Sequence, residues 1–257
     1  MTLKIFITGA SSGLGAELAR AYAQPGNVVA ITARRREELE AVARTLQCEA
    51  VVYPVDVTDH AGLKAAAADF IARFGAPDVV IANAGISAGT LTEFEEDLPS
   101  FDRIFRVNVV GLFATFTPFV QAMKGKGGKL VGIASVAGIR GLPGSGGYCA
   151  SKAAAISYLE ALRGEMKPFD IHVVTLLPGY IRTPLTAKNP YAMPFLMEPD
   201  NAARRMRRVI DRGSSYAVVP WQMGVVAKLM RLLPNWLFDF VLAGKARKPR
   251  ASEGQKI

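Results

Sequence analysis

The opening stretch restricts the fold more than any other part of the chain. Leu3–Thr8 is a short apolar run, and Gly9-Ala10-Ser11-Ser12-Gly13-Leu14-Gly15 follows it directly. An Ala-rich segment of helical period comes next, so the order is strand, tight loop, helix. Glycines let such a loop turn sharply and let a ligand approach its backbone. The start of the helix then offers unpaired N–H groups and the positive end of its dipole, which suits a pyrophosphate. The spacing is Gly-x3-Gly-x-Gly, not the Gly-x-Gly-x-x-Gly of other dinucleotide-binding loops. A loop like this could also be a plain strand-to-helix turn, so the rest of the chain must decide.

The rest repeats the same unit. Val28–Thr32, Ala50–Pro54, Val79–Ala82, Lys129–Ala134, His172–Leu177 and Tyr216–Val219 read as strands. Gly13–Gln24, Arg35–Leu46, Thr58–Phe74, Phe101–Met123 and Tyr148–Phe169 read as helices between them. Several strands are near-continuous apolar runs, as in a parallel sheet covered on both faces. The alternation predicts an α/β fold: a Rossmann-type doubly wound parallel sheet in three layers, α/β/α. With 257 residues, the expected organisation is a single catalytic domain over 1–220. An amphipathic helical C-terminal extension over 221–250 and a disordered tail over 251–257 would follow it.

Composition narrows the function classes. Half the residues are apolar and 21% are charged, which is globular. The two cysteines, Cys48 and Cys149, form no disulfide framework and fit a reducing cytosol. Neither they nor the isolated His60 and His172 make a metal site or a Ser-His-Asp triad. The N-terminal apolar run is too short for a secretory signal core, and no stretch reaches the ~18 uninterrupted apolar residues of a spanning helix. The expectation is a cytoplasmic protein. The formal charge of +9 fits phosphorylated ligands, and no aromatic-basic pattern supports nucleic acid.

The second strand ends Ala33-Arg34-Arg35-Arg36. NAD-binding proteins carry an acid there for the ribose 2′-OH, whereas an arginine favours the 2′-phosphate of NADP. Cations at this helix start also oppose the helix dipole, which a phosphate partner would explain. NADP(H) is therefore expected over NAD(H). Further on, Tyr148 and Lys152 stand four residues apart on one helix face. A free phenol has a pKa of about 10, and a nearby ammonium favours the phenolate. A phenol tuned this way can exchange a proton with an alcohol oxygen. The pair alone would be an ordinary helix face.

Its company makes it specific. Thr8–Gly15 reads TGASSGLG, Ala82–Gly85 reads ANAG, and Asn108 sits in FRVNVVG. Ser135 in GIASVAG lies thirteen residues before Tyr148, which opens YCASK, and Leu176–Pro184 reads LLPGYIRTP. In this order, over roughly 2–220, the chain resembles the short-chain dehydrogenase/reductase family. Ala82 replaces the first Asn of that family's NNAG segment.

The resemblance implies an oxidoreductase and a set of roles. Tyr148 would be the acid/base at the carbonyl oxygen, and Lys152 would lower its pKa and bond the nicotinamide ribose. Ser135 would hold the substrate oxygen, and Asn108 would position a water between Lys152 and solvent. Gly9, Ser12, Gly13, Leu14 and Gly15 would line the pyrophosphate and adenosine ribose. Asp56 and Val57 would bracket the adenine, with Asn83, Ala84 and Gly85 beside the adenosine. Pro178, Gly179, Ile181 and Thr183 would hold the carboxamide end. Asp56 could equally cap the helix near Thr58, and Asn83 could mainly tie strands together. Some members carry a basic residue where Ser12 stands, so the 2′-phosphate falls to Arg34 and Arg35.

Substrate would lie between the Ser135–Tyr148 segment and the loop Tyr180–Asp200. That loop offers Leu185, Tyr191, Met193, Phe195, Leu196 and Met197, either as an apolar pocket or as packing on the domain. After Pro220, Trp221–Leu233 carries a wide apolar stripe, and Asn235 would cap a second helix, Trp236–Ala243. Lys245, Arg247, Lys248 and Arg250 follow. Such helices fit a membrane-surface contact, a subunit interface or packing on the protein's own core. Arg204, Arg205, Arg207, Arg208 and Arg212 read as a solvated helix face. The expected partners are a hydrophobic carbonyl or alcohol and further copies of the chain, as a homodimer or homotetramer. The expected site holds no metal.

Overall fold

A computed structural model describes residues 2–187, 189–244 and 246–251. The tail expectation for 252–257 falls outside the described residues. Seven strands form one parallel sheet: β1 (Lys4–Thr8), β2 (Val28–Thr32), β3 (Glu49–Tyr53), β4 (Val79–Ala82), β5 (Gly128–Ile133), β6 (Ile171–Pro178) and β7 (Tyr216–Val219). Their order is β3-β2-β1-β4-β5-β6-β7. The expected strands are all there, within a residue at each end.

Alternation along each strand feeds two separate cores. In β1, Ile5 and Ile7 face a layer formed with α1 (Gly13–Tyr22), α2 (Arg36–Ala43) and α7 (Pro199–Asp211). Phe6 faces the other layer, against α3 (His60–Phe74), α5 (Gly111–Met123) and α6 (Gly146–Met166). There its ring centroid lies 4.8 Å from that of Phe119 and 5.8 Å from that of Phe70. Burying a ring of this size contributes roughly 2–3 kcal/mol. These cores explain the three layers: a parallel sheet needs a helical cover on each face.

Several sequence expectations change. The helix expected over Phe101–Met123 starts earlier, at α4 (Leu98–Phe105), and passes through a π-helical turn, Arg106–Val110, into α5. Residues 95–123 are long and apolar enough, by length and composition, to cross a membrane. Leu112, Phe116, Phe119 and Met123 are buried against the sheet, however, so core packing accounts for that composition. Arg207 does not belong to a solvated face. It stacks 5.1 Å from the Tyr22 ring and donates to Ala21 O, because α7 packs on α1.

The C-terminal part folds onto the domain. α8 (Trp221–Leu232) packs against β7, and α9 (Asn235–Leu242) follows. Pro234, not Asn235, stands at the N-cap position of α9, and Asn235 is its first residue. Asn235 Oδ1 instead accepts from Arg140 at 3.1 Å. Arg140 also donates to Leu233 O at 2.7 Å and to Met230 O, and stacks 3.7 Å from the Phe238 ring. One guanidinium thus adds donors to carbonyls at the C-terminal end of α8, including Leu233 O just beyond the helix. Residues 246–250 are not helical and return across the molecule.

Candidate active site

The sheet order places β1 beside β4, where successive connections diverge to opposite sides. In open α/β sheets a crevice forms there, outside the carboxyl ends of the strands. A groove of about 390 Å³ lies at this place. Gly9, Ser12, Gly13, Leu14 and Gly15 line it from the β1 turn, and Arg34 and Arg35 from the end of β2. Asp56 and Val57 follow β3, and Asn83, Ala84 and Gly85 follow β4. Pro178, Gly179, Ile181 and Thr183 follow β6, while Ser135, Tyr148 and Lys152 close one end. Every residue named for the cofactor from sequence therefore meets in one groove.

The loop geometry requires glycine at its first position. Gly9 has φ +68°, and an added Cβ would stand 2.6 Å from Ala84 Cα. Asn83 fastens the same loop, its Nδ2 donating to Thr8 O at 3.1 Å and to Gly9 O at 3.0 Å. Both readings of Asn83 thus meet in one residue that ties β4 to β1 and borders the groove. Asp56 caps no helix: its Oδ1 accepts from Thr58 N and Oγ1 at 2.9 Å each, and Asp59 caps α3.

The arginines already have partners. Arg34 Nε lies 3.7 Å from Asp56 Oδ2. Arg35 Nη1 pairs with Glu38 at 2.5 Å, and its Nη2 donates to Ser11 Oγ at 3.3 Å. Both side chains are about half exposed, so these pairs contribute little.

At the closed end, α6 carries Tyr148 and Lys152 on successive turns. Ser135 Oγ accepts from Ala137 N at 3.2 Å and lies in the same groove wall as Tyr148. Lys152 is buried and donates to Ile133 O at 2.8 Å, with Nζ 5.9 Å from the centre of the Tyr148 ring. Burial sets the direction for the phenol: it pushes Tyr148 up to about 12, against a smaller pull from Ser135. Burial also holds Lys152 down at about 8. Desolvation disfavours both charged forms, and at this separation it outweighs their attraction.

Asn108 lies behind the groove, buried in the π turn. Its Oδ1 accepts from Ile86 N at 2.9 Å, and its Nδ2 donates to Ile86 O and to Ser151 Oγ, both at 3.0 Å. Both amide hydrogens are spent, so a water positioned by Asn108 would have to donate to one of its oxygens. Asn108 clamps the segment after β4 to the turn of α6 that bears Lys152.

The loop after β6 divides its residues. Leu185 lines the groove. Met197 is buried and bridges to Ile181, so it belongs to the core, and Phe195 points outward at half exposure. Tyr191 packs beside Tyr180, with ring centroids 6.3 Å apart. Lys248 is the residue that sequence reasoning missed. It is buried, with Nζ 5.8 Å from the centre of the Tyr148 ring. No local pattern marks it, because its surroundings come from segments far away in the chain.

Fold and groove together define a Rossmann-type oxidoreductase. The chain belongs to the short-chain dehydrogenase/reductase family, since the family profile described as short chain dehydrogenase matches residues 4–193. It is 32% identical over 251 residues to 11-beta-hydroxysteroid dehydrogenase-like 2 of Arabidopsis thaliana, covering 92% of this chain and 80% of that one. Among solved structures it resembles the alcohol dehydrogenase of Thermococcus sibiricus complexed with 5-hydroxy-NADP. The TM-score there is 0.76 at 28% identity, over 85% of this chain and 96% of that one. It also resembles the 3-ketoacyl-(acyl-carrier-protein) reductase of Brucella melitensis complexed with NADH. The TM-score there is 0.75 at 29% identity, over 84% and 94% of the two chains.

Proposed function

We propose that this protein is an NADP(H)-dependent oxidoreductase that interconverts a hydrophobic ketone and its secondary alcohol. The observation that carries the reading is the convergence of Ser135, Tyr148 and Lys152 on the groove that begins at the glycine loop, with Lys152 Nζ 5.9 Å from the centre of the Tyr148 ring. The groove fits a dinucleotide. Glycines leave open the space between the first loop and the segment after β6, where a Cβ on Gly13 would stand 3.2 Å from Thr183 Cγ2. Backbone N–H groups of Ser12 to Gly15 would face the pyrophosphate, with Gly9 at the turn. Asp56, Val57, Asn83, Ala84 and Gly85 would border the adenosine. Pro178, Gly179, Ile181 and Thr183 would hold the carboxamide end.

The reduced nicotinamide, when bound there, supplies a hydride to the carbonyl carbon. The chain's own residues handle the proton. With its pKa near 12, Tyr148 is a neutral donor at physiological pH and can protonate the carbonyl oxygen. Ser135, held by Ala137 N–H, bonds the same oxygen. As the proton leaves, phenolate charge develops beside Lys152, which is still protonated below about 8. The ammonium thus acts on the developing charge rather than on the resting phenol, which is what lowers a barrier. Asn108 keeps that turn of α6 in place.

Ala33 and the arginines at the end of β2 support NADP(H). An NAD-linked dehydrogenase is the alternative that the Arg34–Asp56 and Arg35–Glu38 pairs favour. Leu185, Tyr180 and Tyr191 support an apolar substrate, in keeping with the hydroxysteroid dehydrogenase-like name of the plant relative. The reading includes a cytoplasmic homodimer or homotetramer that touches a lipid surface. Trp221, Leu232, Trp236 and Phe240 on α8 and α9 are 68%, 80%, 72% and 77% exposed, with Lys228 and Arg231 exposed among them. The test is NADPH oxidation by the purified chain across steroid, fatty-acyl and long-chain amino ketones. Activity on a ketone that disappears in Tyr148→Phe supports the reading; turnover untouched by that change refutes it.

A further inference from the structure

After α9 the chain turns at Gly244 and runs back to the open side of the α6 N-terminus. This segment is firmly fastened. Gly89 N donates to Pro249 O at 2.8 Å, and Gly89 pairs with Arg250 as an isolated parallel bridge. A Cβ on Gly144 would stand 2.8 Å from Arg247 Cβ. The Arg250 guanidinium bonds Asp97 and Glu96, each at 2.8 Å, and stacks 3.6 Å from the Phe94 ring. Asp97 also accepts from Leu91 N at 2.9 Å, so this anchor is itself anchored.

The fastening fixes Lys248. Its side chain enters between Tyr148 and Cys149 on α6 and Leu185 on the loop after β6, where the substrate is expected. It is 8% exposed, and no carboxylate pairs with it among the described residues. Its one side-chain hydrogen bond among the described residues is long, 3.5 Å to Leu185 O. An ammonium has three donors, and burying one this poorly matched is costly. Lys152 differs: it comes from the cofactor side and bonds Ile133 O at 2.8 Å. Two buried ammoniums therefore flank one phenol, at 5.9 and 5.8 Å from its ring centre, and among the described residues only Lys152 has a close acceptor.

We propose that Lys248 is an anion-binding residue of the substrate site, so that the carbonyl compound reduced at Tyr148 carries a carboxylate a short chain away from the reacting carbonyl. The substrate class becomes an apolar keto acid or hydroxy acid, with its acid group on Lys248 and its body along Leu185 and the loop after β6. This deepens the ketone reductase reading and rests on it.

The test compares 4-oxodecanoate with its methyl ester as NADPH-linked substrates of the wild type, Lys248→Met and Lys248→Arg. The readout is the acid-to-ester ratio of kcat/KM within each protein, which does not depend on the fraction folded. The wild type should favour the acid, and the ratio should fall at least about tenfold in Lys248→Met, the effect of one charge-assisted hydrogen bond. Lys248→Arg should restore most of it. An equal ratio in wild type and Lys248→Met overturns the proposal. A second arm titrates hexanoate and hexanamide into the NADPH-loaded protein. Tighter hexanoate binding that Lys248→Met abolishes, without turnover of either ketone, keeps the anion site and rejects the reductase reading. Equal binding of both probes rejects the anion site itself.

Discussion

Gly9→Ala should damage both stability and dinucleotide binding, and the size of the damage follows from the loop geometry. Gly9 sits at φ +68°, where a residue with a Cβ pays about 1–2 kcal/mol. The new methyl would also stand 2.6 Å from Ala84 Cα and 2.9 Å from Ala84 N. These are backbone atoms at the end of β4, held by Asn83, and they cannot turn aside as a side chain would. Overpacking of this kind costs roughly 1–3 kcal/mol. Together the two effects predict about 2–5 kcal/mol, or a fall in Tm of roughly 5–15 °C for a chain of this size. The variant should stay folded at room temperature, yet its loop must shift by some tenths of an ångström. NADPH affinity should therefore fall at least about tenfold. The checks are urea denaturation and NADPH titration by fluorescence. Wild-type midpoint together with wild-type affinity would refute the claim that this close approach shapes the loop.

Arg34→Ala should weaken NADPH by about tenfold and leave NADH nearly unchanged, given how exposed Arg34 is; equal effects on the two nucleotides would favour the NAD alternative. Lys152 titrates near 8 in the fold and near 10.5 when unfolded, so between those values the unfolded chain binds the extra proton and stability rises with pH. The wild type should accordingly gain in urea midpoint relative to Lys152→Met as pH rises from about 8 to 10, and a constant difference would show that Lys152 is not buried in its charged form. Replacing both Trp236 and Phe240 with Asp should abolish co-sedimentation with anionic vesicles, and binding by the wild type should weaken with salt; no binding by the wild type would remove the lipid reading.

Much of this architecture is local and could be read in advance. Most strands are short apolar runs rich in β-branched residues, as a parallel sheet buried on both faces requires. Tyr148, Lys152, Ser135 and the glycine loop sit in short segments whose spacing sets their direction. What escaped the sequence depends on contacts between distant segments. Lys248 and Arg250 looked like surface cations, but Arg250 finds Asp97 across 153 positions. Arg207 looked solvated because Tyr22 lies far upstream. At Tyr148 an i, i+4 spacing tells that two groups are neighbours, while burial decides the direction in which the phenol moves. Asn108 could be placed on a helix, but not that Ile86 and Ser151 would take both of its amide hydrogens.

The central claim is that Tyr148 delivers the proton when the carbonyl is reduced. Single-turnover NADPH oxidation by Tyr148→Phe, with a ketone that the wild type reduces, tests it most directly. Phenylalanine keeps the ring beside Lys152 and Lys248 and removes only the hydroxyl. The account predicts NADPH affinity within about threefold of wild type and a hydride-transfer rate lowered by about 10²–10⁴-fold. Hydride transfer at the wild-type rate in that variant would contradict it.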